Sequence, residues 1–214
     1  MSRRTLVIAI TAVAVLGFSA AAFYYNRATT PVQVTAPVQD SSALVRFNAP
    51  SFGPAKASVT VVEFFDPSCE SCRAFYPIVK QMMAKHPNDI RLVLRYVPLH
   101  VGSEQAIRLL ETARKQGVYP QVLEAVLESQ PQWHDDANAT AAWTAAIQAG
   151  LDEAKAREIL MSAEITATIA RDAADAKTLG VNRTPSFFVN GKPLTNFGAQ
   201  PLYDLIRSEM STPR

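Results

Sequence analysis

An α/β fold interrupted by an inserted all-helical stretch is predicted by three observations on the sequence. Two β-type runs, residues 58–65 and 90–97, flank a stretch with helical spacing of apolar residues, and strands joined through a helix lie parallel. Helical periodicity then fills residues 103–179 without a single β-type run. The β pattern returns only at residues 186–189, followed by Asn190-Gly191, a two-residue hairpin signal, and a last amphipathic helix over 200–210.

The 214 residues, 48% of them apolar, are enough for one ordinary domain with a real core plus appendages. Composition divides them into a membrane anchor or signal peptide at 1–27, a linker rich in Pro, Thr, Ser and Gln at 28–43, and a domain at 44–211 whose helical insertion spans about 103–179. The formal charge is +2, from 21 basic and 19 acidic residues, and Arg3 and Arg4 account for it. The folded part is near neutral and has no basic stripe, so no nucleic-acid partner is indicated.

Residues 5–25 carry no charge and are bracketed by Arg3, Arg4 and Arg27. About 20 such residues can span a bilayer, with the arginines holding the N-terminus in the cytoplasm and Phe23-Tyr24-Tyr25 at the outer interface. Ala20-Ala21-Ala22 also offers a signal-peptidase site after a shorter apolar core, so an anchor in the bacterial inner membrane and a cleaved signal both fit. Either reading exports the domain to the periplasmic side, an oxidising compartment.

Within the domain, residues 44–47 are expected to form a short first strand, and the Pro- and Gly-containing residues 48–54 a loop. The strand at 58–65 feeds Asp66-Pro67-Ser68, which breaks it, and Cys69-Glu70-Ser71-Cys72 opens a helix that buries Phe75, Ile78, Val79, Met82 and Met83. Pro77 inside that helix removes a backbone donor and predicts a kink. Ser103 is expected to cap a helix ending near Gly117; further helices are expected at 120–128, 138–149, 152–161 and 163–179, with Trp133 and Trp143 in their core. Pro193, just after the hairpin, suits an edge strand only.

Cys69 and Cys72 are the only cysteines. At the helix N-terminus, unpaired N–H groups and the helix dipole favour a Cys69 thiolate, and Cys72, three residues on, is close enough to bridge it. A structural zinc site needs four ligands and a second pair is missing. A structural disulfide closing so small a loop would add little stability. Redox chemistry without a cofactor is the better account.

Strand, CxxC helix, strand, helical insertion, Thr184-Pro185, hairpin and helix together resemble the thioredoxin fold with an inserted helical domain, and the chain is similar to the DsbA-like family of exported thiol-disulfide oxidoreductases. The resemblance covers residues 58–210. It implies a role for Glu63, before the aromatic pair Phe64-Phe65, as a buried acid exchanging a proton with Cys72, where a carboxylate at a strand edge is the plainer alternative. It implies that Cys69, exposed, is the attacking sulfur and that Cys72, deeper, resolves the mixed disulfide. It also implies a cis bond between Thr184 and Pro185 that sets the Thr184 backbone beside Cys69. The implied partners are cysteine-containing exported proteins and a membrane redox partner that re-oxidises or re-reduces the pair. Glu70-Ser71 departs from the dipeptides of DsbA and thioredoxin, so oxidase, isomerase and reductase are not separated by motif. Glu70 is expected to oppose the Cys69 thiolate and Arg73 to favour it. His100, at a strand end, borders the site on one reading and is a solvated loop histidine on the plainer one. The alternative from another class is a copper-binding module using the two thiolates, which metal content beside insulin-reduction activity discriminates.

Overall fold

The computed structural model of the chain describes residues 41–211; the anchor or signal segment and the linker up to residue 40 lie outside the described residues. Among the described residues no helix is long and apolar enough to cross a membrane. Five strands form one sheet: β1 (Ser51–Phe52), β2 (Val59–Phe65), β3 (Ile90–Tyr96), β4 (Ser186–Val189) and β5 (Lys192–Pro193), in the order β1-β3-β2-β4-β5. β2 and β3 pair in parallel, as a helical connection requires, and the other pairings are antiparallel. The helices are α1 (Glu70–Lys85), α2 (Ser103–Lys115), α3 (Tyr119–Glu128), α4 (Thr140–Gln148), α5 (Glu153–Ile159), α6 (Ala163–Thr178) and α7 (Ala199–Met210).

β2 is buried on both faces, and period-two alternation sends its side chains into two cores. Val59, Val61 and Phe65 join a cluster with Cys72 and Val79 of α1, Leu202 and Ile206 of α7, and the apolar sides of the inserted helices. Val62 and Phe64 face the other way, onto Val93, Phe188, Leu44 and Ala176 and Leu179 from the end of α6. Glu63 therefore points to the α1 face.

The first strand is Ser51–Phe52, inside the expected loop, and residues 44–47 form no strand. The carbonyls of Ala43 and Leu44 accept from Arg95 Nη1 at 2.6 and 2.9 Å, so they are turned onto a side chain instead of a ladder, while Leu44 still fills the second core. α1 runs unbroken through Pro77, and its fully buried stripe is Cys72, Tyr76, Val79 and Met82, with Phe75, Ile78 and Met83 packed at its margins. The stripe is rotated from the expected one because Cys69 is the N-cap and Cys72 itself marks the inward side. Ser103 is the first residue of α2, not its cap: its hydroxyl accepts from His100 N at 3.1 Å and donates to Asp66 Oδ1 at 2.6 Å. Gly102 holds the cap position at φ 75°, where a Cβ would lie 2.6 Å from the Asp136 carbonyl.

The hairpin forms as its turn residues demand. Asn190 and Gly191 have φ of 48° and 83°, both positive as a type I′ turn needs, and Pro193 lies in the edge strand. Trp133 and Trp143 are buried in the core of the insertion. A buried ionic cluster joins the second face to the insertion. Arg95, fully buried, donates to Asp172 at 2.7 Å and Asp175 at 2.6 Å; Asp175 also pairs with Arg46, and Asp172 accepts from Tyr96 N at 2.9 Å.

Candidate active site

The cysteine pair sits where β2 ends and α1 begins. Cys69 is the N-cap of α1, with extended φ and ψ of −77° and 119°; its N–H donates to Asp66 O and its carbonyl accepts from Arg73 N, both at 3.1 Å. Its Sγ lies 3.3 Å from the Thr184 carbonyl oxygen, and the peptide bond from Thr184 to the buried Pro185 is cis. Cys69 is more enclosed than expected, 6% exposed, because the cap position tucks its sulfur against residue 184. Cys72 is fully buried and accepts from Asp66 N at 3.5 Å, and both thiols are free.

The two thiols are driven in opposite directions. The Cys69 pKa is brought down from 9.0 to about 5, first by a hydrogen bond from Cys72, then, against the pull of burial, by Thr184 and by the backbone N–H groups of Cys72 and Ser71. The Thr184 hydroxyl is buried with no other partner to satisfy it. Burial pushes Cys72 far up, helped by its hydrogen bond to Cys69 and by the charges of Glu63 and Cys69. Glu63, 1% exposed and set between Leu94 of β3 and Phe187 of β4, has no hydrogen-bond partner for either carboxyl oxygen. Burial, and secondarily the Cys69 charge, raise its pKa to about 8.

Glu70 is exposed, and the groups acting most strongly on Cys69 are its hydrogen-bond donors, not Glu70 or Arg73. The Arg73 guanidinium instead donates to Gln130 Oε1 at 3.0 Å. His100 is half exposed, yet its Nδ1 lies 2.7 Å from the buried Asp66 carboxylate, so it is not simply a solvated loop residue. Asp66 is the hub that the sequence does not announce. It accepts from Ser68 N at 2.9 Å, Leu99 N at 2.8 Å, Ser103 Oγ at 2.6 Å and His100, tying the cysteine loop to the start of α2. The Asp-Pro-Ser turn signal was the one available clue, since an Asp commonly accepts from the N–H two residues on.

A family model described as thioredoxin matches residues 48–206. The chain belongs to the thioredoxin family, on its DsbA-like side. A solved thioredoxin-like oxidoreductase from Silicibacter pomeroyi is 34% identical, covers 82% of this chain and 100% of its own, and superposes with a TM-score of 0.72. The thiol:disulfide interchange protein DsbA of Bordetella parapertussis is 25% identical over 79% of this chain and 81% of its own. The Na(+)/H(+) antiporter NhaA 3 of Salinispora tropica is 32% identical over 65% of this chain, which spans only 21% of the antiporter's length. The thioredoxin-fold unit is that of a protein thiol-disulfide oxidoreductase.

Proposed function

We propose that this DsbA-like protein exchanges disulfides with cysteine-containing exported proteins, with Cys69 carrying the substrate and Cys72 resolving it. The observation that carries the reading is the opposed tuning of two adjacent thiols: a hydrogen-bonded sulfur held as thiolate from about pH 5 upward, and a buried partner held protonated. In the oxidising direction a substrate thiolate attacks Cys69 of the disulfide, and Cys72 leaves as a thiolate that takes a proton from Glu63. A second substrate thiolate then attacks the substrate sulfur of the mixed disulfide and releases the Cys69 thiolate. The substrate has lost two electrons, the cysteine pair has gained them, and Glu63 recovers its proton from solvent.

Stabilising the Cys69 thiolate stabilises the reduced pair, which makes the disulfide an oxidant. A value of about 5 falls between the ~7 of thioredoxin and the ~3.5 of the strongest oxidants, so a mild oxidase is the role this centre suits. A membrane redox partner re-oxidises the pair. The Thr184 backbone beside Cys69 serves to align a substrate's extended chain, and Pro185 holds that loop. Residues 5–25 attach the protein to the inner membrane with the domain on the periplasmic side; release of the protein by osmotic shock without detergent would contradict that attachment.

Trapping tests the assignment of roles. Cys72→Ala is expected to accumulate mixed disulfides on Cys69, because the resolving sulfur is gone, whereas Cys69→Ala captures none. Equal capture by both variants on a non-reducing gel overturns it.

A further inference from the structure

Gln130 lies in the inserted segment, in a short 3-10 turn (Gln130–Gln132) after α3, and its side chain is fully buried. Every polar atom of its amide is used on the cysteine loop. Nε2 donates to Pro67 O at 2.7 Å and to Cys69 O at 3.0 Å, and Oε1 accepts from Arg73 Nε at 3.0 Å. The three contacts bracket Cys69: one on the loop before it, one on its own carbonyl and one on the first turn of α1.

The Cys69 carbonyl is also the acceptor of the first intrahelical bond of α1, from Arg73 N. The amide therefore fixes the peptide plane that leaves the cap, and that plane sets how the N–H groups of Ser71 and Cys72 face the sulfur. We infer that Gln130 is a positioning residue of the redox centre, through which the helical insertion orients the Cys69 backbone and hence the first-turn donors that meet its sulfur. Chemistry at this spot favours an amide. Two buried carbonyls need two N–H donors while Arg73 needs an acceptor; a carboxylate would set an anion against both carbonyls, and an ammonium would offer Arg73 nothing. A second tie, the Ser68 hydroxyl placed 2.7 Å from Val101 O and 2.9 Å from His134 O, also holds the loop to the rest of the molecule but does not touch the Cys69 peptide.

The inference rests on Cys69 being the reactive thiolate, and the experiment separates the two. Gln130→Met fills nearly the same volume without hydrogen bonds, and Gln130→Glu keeps the acceptor for Arg73 while removing the donors. In the full chain, the Cys69 thiolate is titrated by absorbance, the glutathione redox equilibrium is measured, and the thermal midpoint is recorded. Gln130→Met is expected to raise the Cys69 midpoint by roughly half to one pH unit, a three- to tenfold loss of thiolate stability that makes the pair correspondingly less oxidising. Gln130→Glu is expected to raise it further. A midpoint and redox equilibrium unchanged in both variants, whatever happens to the thermal midpoint, would leave Gln130 a packing residue and overturn the inference. A wild-type midpoint already at the ordinary thiol value would overturn the thiolate reading as well.

Discussion

Both carboxyl oxygens of Glu63 are buried without a hydrogen-bond partner, so the charged form is poorly accommodated and the group keeps its proton up to about pH 8. In the proposed oxidising step it is, below that pH, the acid that protonates the Cys72 thiolate as it leaves. Glu63→Gln removes the transferable proton at constant shape. Formation of the mixed disulfide, the step in which Cys72 leaves, is expected to slow by about 100-fold, measured by quenched-flow with a cysteine peptide and the oxidised protein at pH 7; a change under about twofold would place proton delivery elsewhere. At this scale the sequence was legible where a residue's neighbours in the chain define its job. Glu63 stands on β2 and Cys69 and Cys72 open α1 directly after it, whereas Thr184 and Pro185, before β4, were marked by the resemblance and not by their neighbours. Asp66 and Gln130 were not legible, because what gives them meaning is a partner brought in from elsewhere: Asp66 meets Leu99 and His100 across the sheet end, and Gln130 meets Cys69 from 61 residues away.

The elements follow a similar division. The helix opened by Cys69, the parallel pair β2 and β3 and the hairpin at Asn190-Gly191 are set by local pattern, and local pattern revealed them. β1 was hidden because two residues in a Pro- and Gly-bearing stretch have no periodicity of their own and pair only because Val93 and Leu92 of β3 are opposite. Arg95, a charged residue in the β3 run, is wholly buried, since Asp172 and Asp175, one turn apart on α6, arrive from the far end of the insertion. That cluster clamps α6 to β3 and to residues 43–46, and its geometry is unforgiving. Asp172→Ala is expected to destabilise the domain by about 3–5 kcal/mol, since it leaves a buried guanidinium short of its counter-charge and Tyr96 N without an acceptor. Urea denaturation measures it, and a loss below ~1 kcal/mol would show that Asp175 alone suffices.

Across the whole molecule the two tuned acids give stability opposite dependences on pH. Glu63, raised from 4.5 to about 8, holds a proton in the folded state that the unfolded chain has lost, so its contribution falls as pH rises through that window. Cys69, lowered from 9.0 to about 5, has lost a proton that the unfolded chain retains. Its contribution grows above pH 5 and is complete only above pH 9, being lost again as pH falls through 5. In the reduced protein the two slopes oppose each other between pH 5 and 8, while the disulfide form keeps only the Glu63 slope. The thermal midpoint of the reduced form is therefore expected to gain on that of the oxidised form from pH 5 to 8; parallel curves would contradict the opposed tuning. The most direct test is the absorbance titration of thiolate in the reduced wild-type protein from pH 3 to 10. The account predicts a single thiolate appearing with a midpoint near 5 and no second one up to pH 10, because Cys72 stays protonated. A midpoint close to 9.0, the ordinary thiol value, or two thiolates titrating together, would contradict it.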